Sequence, residues 1–262
     1  QRAALTASAM GRGAEAQIRA FGRAYGAEDS FNKLADMLFE RPGMGRAETP
    51  AFEPERRRVY NARMGQVTDA LKGLSLEEAE QAVAQLRSGT ARAGTRLGDA
   101  ALKLRALLDE HGEYLIENQA LERVVRKNYY PRQTDQAKIL ENKEAFIRDA
   151  TRALKLDGIP KAREVAEEWF ERIRLGDAGV RSEGAADLVM LPASLEPNAL
   201  KHRKLSTAAE NVLAKGGWYV DDPMAALSSY FWRTTSAAEM RRLFGKNGEK
   251  WEEVRAEIDK AG

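Results

Sequence analysis

His111 and His202 are the only two histidines of the 262-residue chain. A metal site on helices needs His-x-x-x-His or His-x-x-Glu spacing, so that two ligands share a face, and neither histidine has it. His111 stands beside Gly112 and reads as the end of a helix, where an imidazole favours the negative pole of the dipole. His202 lies inside Lys201-His202-Arg203-Lys204. With no cysteine, thiolate nucleophiles, thiolate ligands and disulfides are excluded together. Phosphate-cradling loops need closely spaced glycines before a helix. Gly11-Arg12-Gly13 and Gly43-Met44-Gly45 lack the third glycine, no Gly-Lys-Ser/Thr exists, and both read as turns. Among the carboxylates, Asp221-Asp222 precedes Pro223 as a helix cap would. Asp109, Glu110, Glu113 and Glu117 read as a solvated rim, not as a glycosidase pair. The Glu-Ser dipeptide expected of a phage-borne transglycosylase is absent. The expectation is a protein that is not an enzyme, with no metal and no cofactor.

Two kinds of residue could instead bind. Arg56-Arg57-Arg58 lies near Tyr60, Arg123 with Arg126-Lys127 lies near Tyr129 and Tyr130, and Lys201 to Lys204 form a third basic cluster. Basic side chains interleaved with aromatics neutralise phosphates and stack on bases. Nucleic-acid contact through Arg56, Arg57, Arg58, Arg126, Lys127, Lys201, Arg203 and Lys204 is therefore an alternative reading. Acids flank every cluster, and 42 basic against 40 acidic residues leave a net charge of only +2, the mark of a solvated helical surface. The second kind is aromatic. Tyr230, Phe231, Trp232 and Phe244 crowd one segment, and at about 100° per residue they cannot share a face. Tyr230, Ala237 and Phe244 keep heptad spacing toward the chain's own core, whereas Trp232 points elsewhere. Either the stretch around Trp218 and Tyr219 covers it, or Trp232 and Phe231, with Trp218 and Tyr219, anchor an interface.

The elements that must position these residues are helices. Short amphipathic helices are predicted over 14–25 and 30–39, followed by a linker from Arg41 to Pro54 with three prolines and two glycines. Pro54 opens a helix that ends at Gly73-Leu74. Ser75 and Glu78 have capping-box spacing for a helix reaching Arg87. Leu97, Ala101, Leu104 and Leu108 share one face of a third helix ending near His111-Gly112. A short helix over 117–125 breaks at Asn128 to Pro131. One long helix carries Ile139, Phe146, Ala150 and Leu154 and stops at Asp157-Gly158; the next opens at Pro160 and ends at Gly176. A long irregular loop spans 177–197, with an extended stretch at Leu188 to Leu191 and a second at Trp218 to Val220. Structure resumes near Ser206, Asp222 caps a long helix to Gly245, and a terminal helix covers 251–258.

The fold class that follows is all-α, a multi-helix bundle or an extended stack of helical hairpins. Its divisions are 1–53, short helices and linker; 54–130, a helical subdomain; 131–199, a subdomain ending in the long loop; and 200–262, a C-terminal helical subdomain. A chain of this size buries a core without staples. The longest uncharged apolar runs, such as Leu188 to Leu191, fall far short of the roughly 20 residues that cross a bilayer. No leader-like N-terminal segment is recognisable. Beginning at Gln1 and stopping at Gly262 in the tail of a helix, the sequence reads as a piece of something longer.

Three stretches carry a family resemblance. Asn128-Tyr129-Tyr130-Pro131-Arg132, then Lys201-His202-Arg203-Lys204-Leu205, then Asp222-Pro223 with Leu227, Tyr230, Glu239 and Phe244-Gly245-x-x-Gly248 resemble helical segments of very large phage proteins: the polyvalent and the internal virion, or ejection, proteins. The likeness covers about half the chain, from Asn128 onward. It implies a structural virion protein, packaged in the capsid and ejected at infection, that forms a helical assembly or conduit for genome delivery. Its implied partners are copies of itself and other virion proteins of the portal, tail or ejection apparatus. Its implied location is the phage virion and then the host cell envelope or cytoplasm. Such proteins also join helical segments to a polymerase, helicase or transglycosylase, so a non-catalytic flank of a larger phage enzyme stays open. A chain that must thread a narrow tail is better off without disulfide or metal staples.

Overall fold

The computed structural model describes residues 2–24, 26, 28–39, 50–121, 130–174, 205–246 and 248–261. Within them the chain is all-α, and no strand is present apart from a single antiparallel bridge between Thr134 and Tyr219. The order is α1 (Arg2–Ala24), α2 (Glu28–Leu38), α3 (Phe52–Leu71), α4 (Leu76–Ser88), α5 (Arg96–Glu117), α6 (Gln136–Glu141), α7 (Lys143–Leu156), α8 (Ala162–Arg174), α9 (Thr207–Lys215), α10 (Pro223–Phe244) and α11 (Glu249–Ala261). Among the described residues no helix is long and apolar enough to cross a membrane. The 177–197 loop and its extended stretch lie outside the described residues, as do Arg123, Arg126, Lys127 and the 201–204 cluster.

Local chemistry sets most helix ends. The Ser75 hydroxyl accepts from the Glu78 amide at 3.2 Å, and the Glu78 carboxylate accepts from the Ser75 amide at 2.7 Å, completing the capping box of α4. Asp222 accepts from the Met224 amide at 2.8 Å to cap α10, with Pro223 in the first turn. Gly245, at φ 88°, ends that helix in a conformation that costs a side chain energy. At Gly22 a Cβ would lie 2.6 Å from that of Phe31, so glycine is what lets α1 and α2 approach.

Several boundaries differ from the sequence reading, beginning with α1, which starts at Arg2 and not near Ala14. α5 does not stop at His111-Gly112; both residues are buried inside it, and Leu104, Leu108, His111 and Leu115 continue one stripe at spacings of four, three and four. Asn118 ends the helix, and Gln119 takes a positive φ of 58°, so no helix begins at Glu117. The single helix expected over Ile139 to Leu154 is two, because Asn142, at φ −126° and ψ 46°, breaks it between α6 and α7. After Gly158, Lys161 takes a positive φ of 54°, and α8 opens at Ala162 instead of Pro160.

The helices close around two main cores. The first joins α3, α4, α5 and α10 through Val67, Leu71, Val83, Leu86, Leu104, Leu108, Leu227 and Phe231. The second joins α6 to α9 through Ile139, Phe146, Ala150, Ala166, Phe170, Leu213 and Trp218. The far end of α10 contributes Met240, Leu243 and Phe244 to a smaller cluster with Leu34 of α2. The 200–262 segment is therefore not one packing unit: α9 belongs to the second core and α10 to the first. α10 is buried on nearly all sides, against α3, α4, α5 and α11, as expected of a helix whose small and apolar residues encircle it.

Candidate interaction site

Trp232 is the large aromatic that α10 leaves 40% exposed. The stretch around Trp218 does not cover it. Instead, the Arg56 guanidinium of α3 lies over its ring, 3.9 Å from the centroid, and Tyr60 meets it edge-on at 5.2 Å. The Tyr60 hydroxyl is 2.8 Å from that of Ser228, which pins α3 to α10 at the same level. Arg56 is in turn held by both carboxylate oxygens of Glu53, at 2.7 and 2.8 Å. Burial lowers the Arg56 pKa while Glu53 opposes the shift, and guanidinium stays charged throughout. Trp232 thus presents one flank to solvent from a stack that is already ordered, and an ordered aromatic loses little entropy on docking.

Phe231 is fully buried in the first core, and Trp218 is buried in the second, where its indole N–H donates to Asp149 at 3.0 Å. Neither ring can meet a partner without opening a core, so the interface expectation is corrected for both. Tyr219 is half-buried, with the Arg132 guanidinium 5.0 Å from its ring. Of the interface candidates, Trp232 alone keeps a large exposed area.

The basic residues of α3 are locally matched. Arg57 pairs with Glu53 at 3.3 Å, and Arg58 with Glu55. The triplet therefore meets solvent as a chain of i,i+3 and i,i+4 ion pairs rather than as free cations, which weakens it as a phosphate-binding stripe. The acidic rim falls out as read: Asp109 pairs with Arg105, Glu110 pairs with Arg63, and all four carboxylates are exposed.

What sequence reasoning missed is a polar seam inside the first core, where α5 faces α10. His111, fully buried, brings its Nε2 within 2.8 Å of the Thr234 hydroxyl. One turn on, the Tyr114 hydroxyl donates to Glu239 at 2.6 Å, and Arg242 donates to the other carboxylate oxygen at 2.7 Å. Glu239 is 1% exposed, so its charge is stabilised by these two donors. Burial and the Glu239 hydrogen bond push the Tyr114 phenol well above its ordinary value. Farther along, Arg241 donates to the Gln119 carbonyl at 2.6 Å. The available signal was periodic. Glu239 lies eight residues after Phe231 on the same face, and His111 continues the leucine stripe of α5.

An open groove of about 540 Å³ lies between α2, α10, α11 and the residues just before α3, lined by Asp29, Asn32, Asp36, Pro50, Arg242 and Lys250. Its charges are mixed, and among the described residues no group of His, Asp or Glu side chains converges as metal ligands would. No family model, curated protein or solved structure matches the chain.

Proposed function

We propose that this chain is a non-catalytic helical segment of a phage internal virion, or ejection, protein that works by assembly with copies of itself and with other virion proteins. One observation carries the reading. The described residues of the resembling stretches are packing and capping positions. Tyr130 packs against the first core, and Arg132 donates to the Glu210 carbonyl of α9 at 2.9 Å. Asp222 caps α10, Leu227 and Phe244 are fully buried, and Glu239 binds Tyr114. These residues build a helical scaffold, which is what a structural role requires. Trp232, supported by Arg56 and Tyr60, is the docking position on that scaffold. Delivery into the host envelope or cytoplasm follows from the same resemblance.

Two measurements test this. Particles of the source phage, assayed intact and after genome release, should contain the chain before release and lose it afterward. In sedimentation, the isolated chain should show mass rising with concentration. A chain that stays monomeric and binds duplex DNA with a steep salt dependence would favour the nucleic-acid reading instead.

A further inference from the structure

The imidazole of His111 occupies a cage built for one protonation state. Its ring packs edge-on against Phe231 at 4.7 Å and Tyr230 at 5.6 Å, and lies at 5.5 Å from Tyr114. The Thr234 hydroxyl donates its own hydrogen to the Tyr230 carbonyl at 2.8 Å, so toward Nε2 it can only accept. Nε2 therefore carries the ring's hydrogen, and Nδ1 must be bare. Nδ1 is buried and has no hydrogen-bond partner among the described residues. The charged group facing the ring from α3 is Arg63, a cation, which is paired with the exposed carboxylate of Glu110 at 2.6 Å. From α10 the facing groups are Tyr230, Phe231 and Thr234, none of them anionic, and from α5 itself Tyr114. A second proton on this ring would be a buried donor without an acceptor, beside a like charge.

We propose that His111 is an acid-sensitive latch between α5 and α10: the neutral ring holds the two helices together, and protonation releases them while the core of α6 to α9 stays closed. Burial, reinforced by Arg63, holds the His111 pKa down at about 3. In the unfolded chain the same group takes its proton near 6.5. Between those values the open state binds the proton and the closed state does not, so closure weakens as pH falls and is fully intact above 6.5. The second core has no histidine among its described residues, and the chain's other histidine is His202.

Amide hydrogen exchange of the whole chain, corrected for intrinsic rates, tests the latch. From pH 7.5 to pH 5 the opening equilibrium of α5 and α10 should rise about thirtyfold, with α7 and α8 changing by less than about twofold. In His111→Gln the rise should vanish. The same rise in His111→Gln, or no rise in the parent chain, overturns the proposal. If His111→Gln fails to fold, His202→Asn decides: persistence of the rise supports the latch, and its loss overturns it. The His111 ring resonance of the folded chain must also stay untitrated over this range, and a midpoint near 6.5 without loss of structure would overturn the latch as well.

Discussion

The two main cores are made by different rules. Around α7 the contacts are mainly apolar and aromatic: Phe146 meets Trp169 at 5.3 Å and Trp218 at 5.5 Å, and Asp149, which accepts from the Trp218 indole, is partly solvated. Around α10 the apolar floor of Leu104, Leu227 and Phe231 is crossed by His111, Thr234, Tyr114 and Glu239. An apolar core gains stability from burial alone and tolerates volume-conserving change. A core crossed by polar pairs is stable only while every member finds its partner, and in return it fixes which faces meet.

The sharpest way to break this comparison is to empty each core in turn. Phe146→Ala and Phe231→Ala should each cost about 3–5 kcal/mol, because both rings are fully buried. Calorimetry of Phe146→Ala should show the second core melting ahead of the first. A single transition shifted as a whole would mean the two cores unfold as one cooperative unit.

A smaller effect separates the polar ties. Tyr114→Phe strands a buried carboxylate oxygen of Glu239 and should cost about 1–3 kcal/mol in a denaturant titration. Asp149→Ala, whose carboxylate is partly solvated, should cost about 1 kcal/mol. Equal losses would show that the seam is no more demanding than the aromatic core.

The smallest stability effect falls on the surface. Trp232→Ala removes the Arg56 stack and the Tyr60 contact and should cost about 1 kcal/mol or less, the range of half-exposed cation–π and aromatic pairs. Its sedimentation should nevertheless change, with self-association weakened at unaltered helical signal. An unchanged mass distribution with a lowered melting temperature would place Trp232 among the α3–α10 packing contacts alone.

Helix identity was legible because its signals are local. Ser75 with Glu78, Asp222 with Pro223 and the terminating Gly245 are readable within four residues, and all three sit where the spacing places them. Tyr230, Ala237 and Phe244 do turn toward the interior, half-buried in the first case and buried in the other two. What escaped was the partner of each polar residue. His111 beside a glycine looks like a helix end until Thr234, 123 residues away, supplies a hydrogen bond. Glu239 looks like a surface acid until Tyr114, 125 residues away, donates to it. Arg56 looks like a phosphate ligand until Glu53 and Trp232 enclose it. Pairings of that range leave no periodic trace, so tertiary contact overrides the local reading.

The pairing of α3 with α10 also dictates the order in which the molecule can be finished. Tyr60 meets Ser228 across 168 residues and Arg56 meets Ser236 across 180, whereas Asp149 meets Trp218 across 69. Closing the longer loops costs more chain entropy and delays their contacts. On a ribosome, α6 to α9 have emerged before α10 exists, so the aromatic core closes first and α3 to α5 wait, their apolar face open, for α10. During synthesis the waiting face is the segment most exposed to chaperones and to misassembly with neighbouring nascent chains.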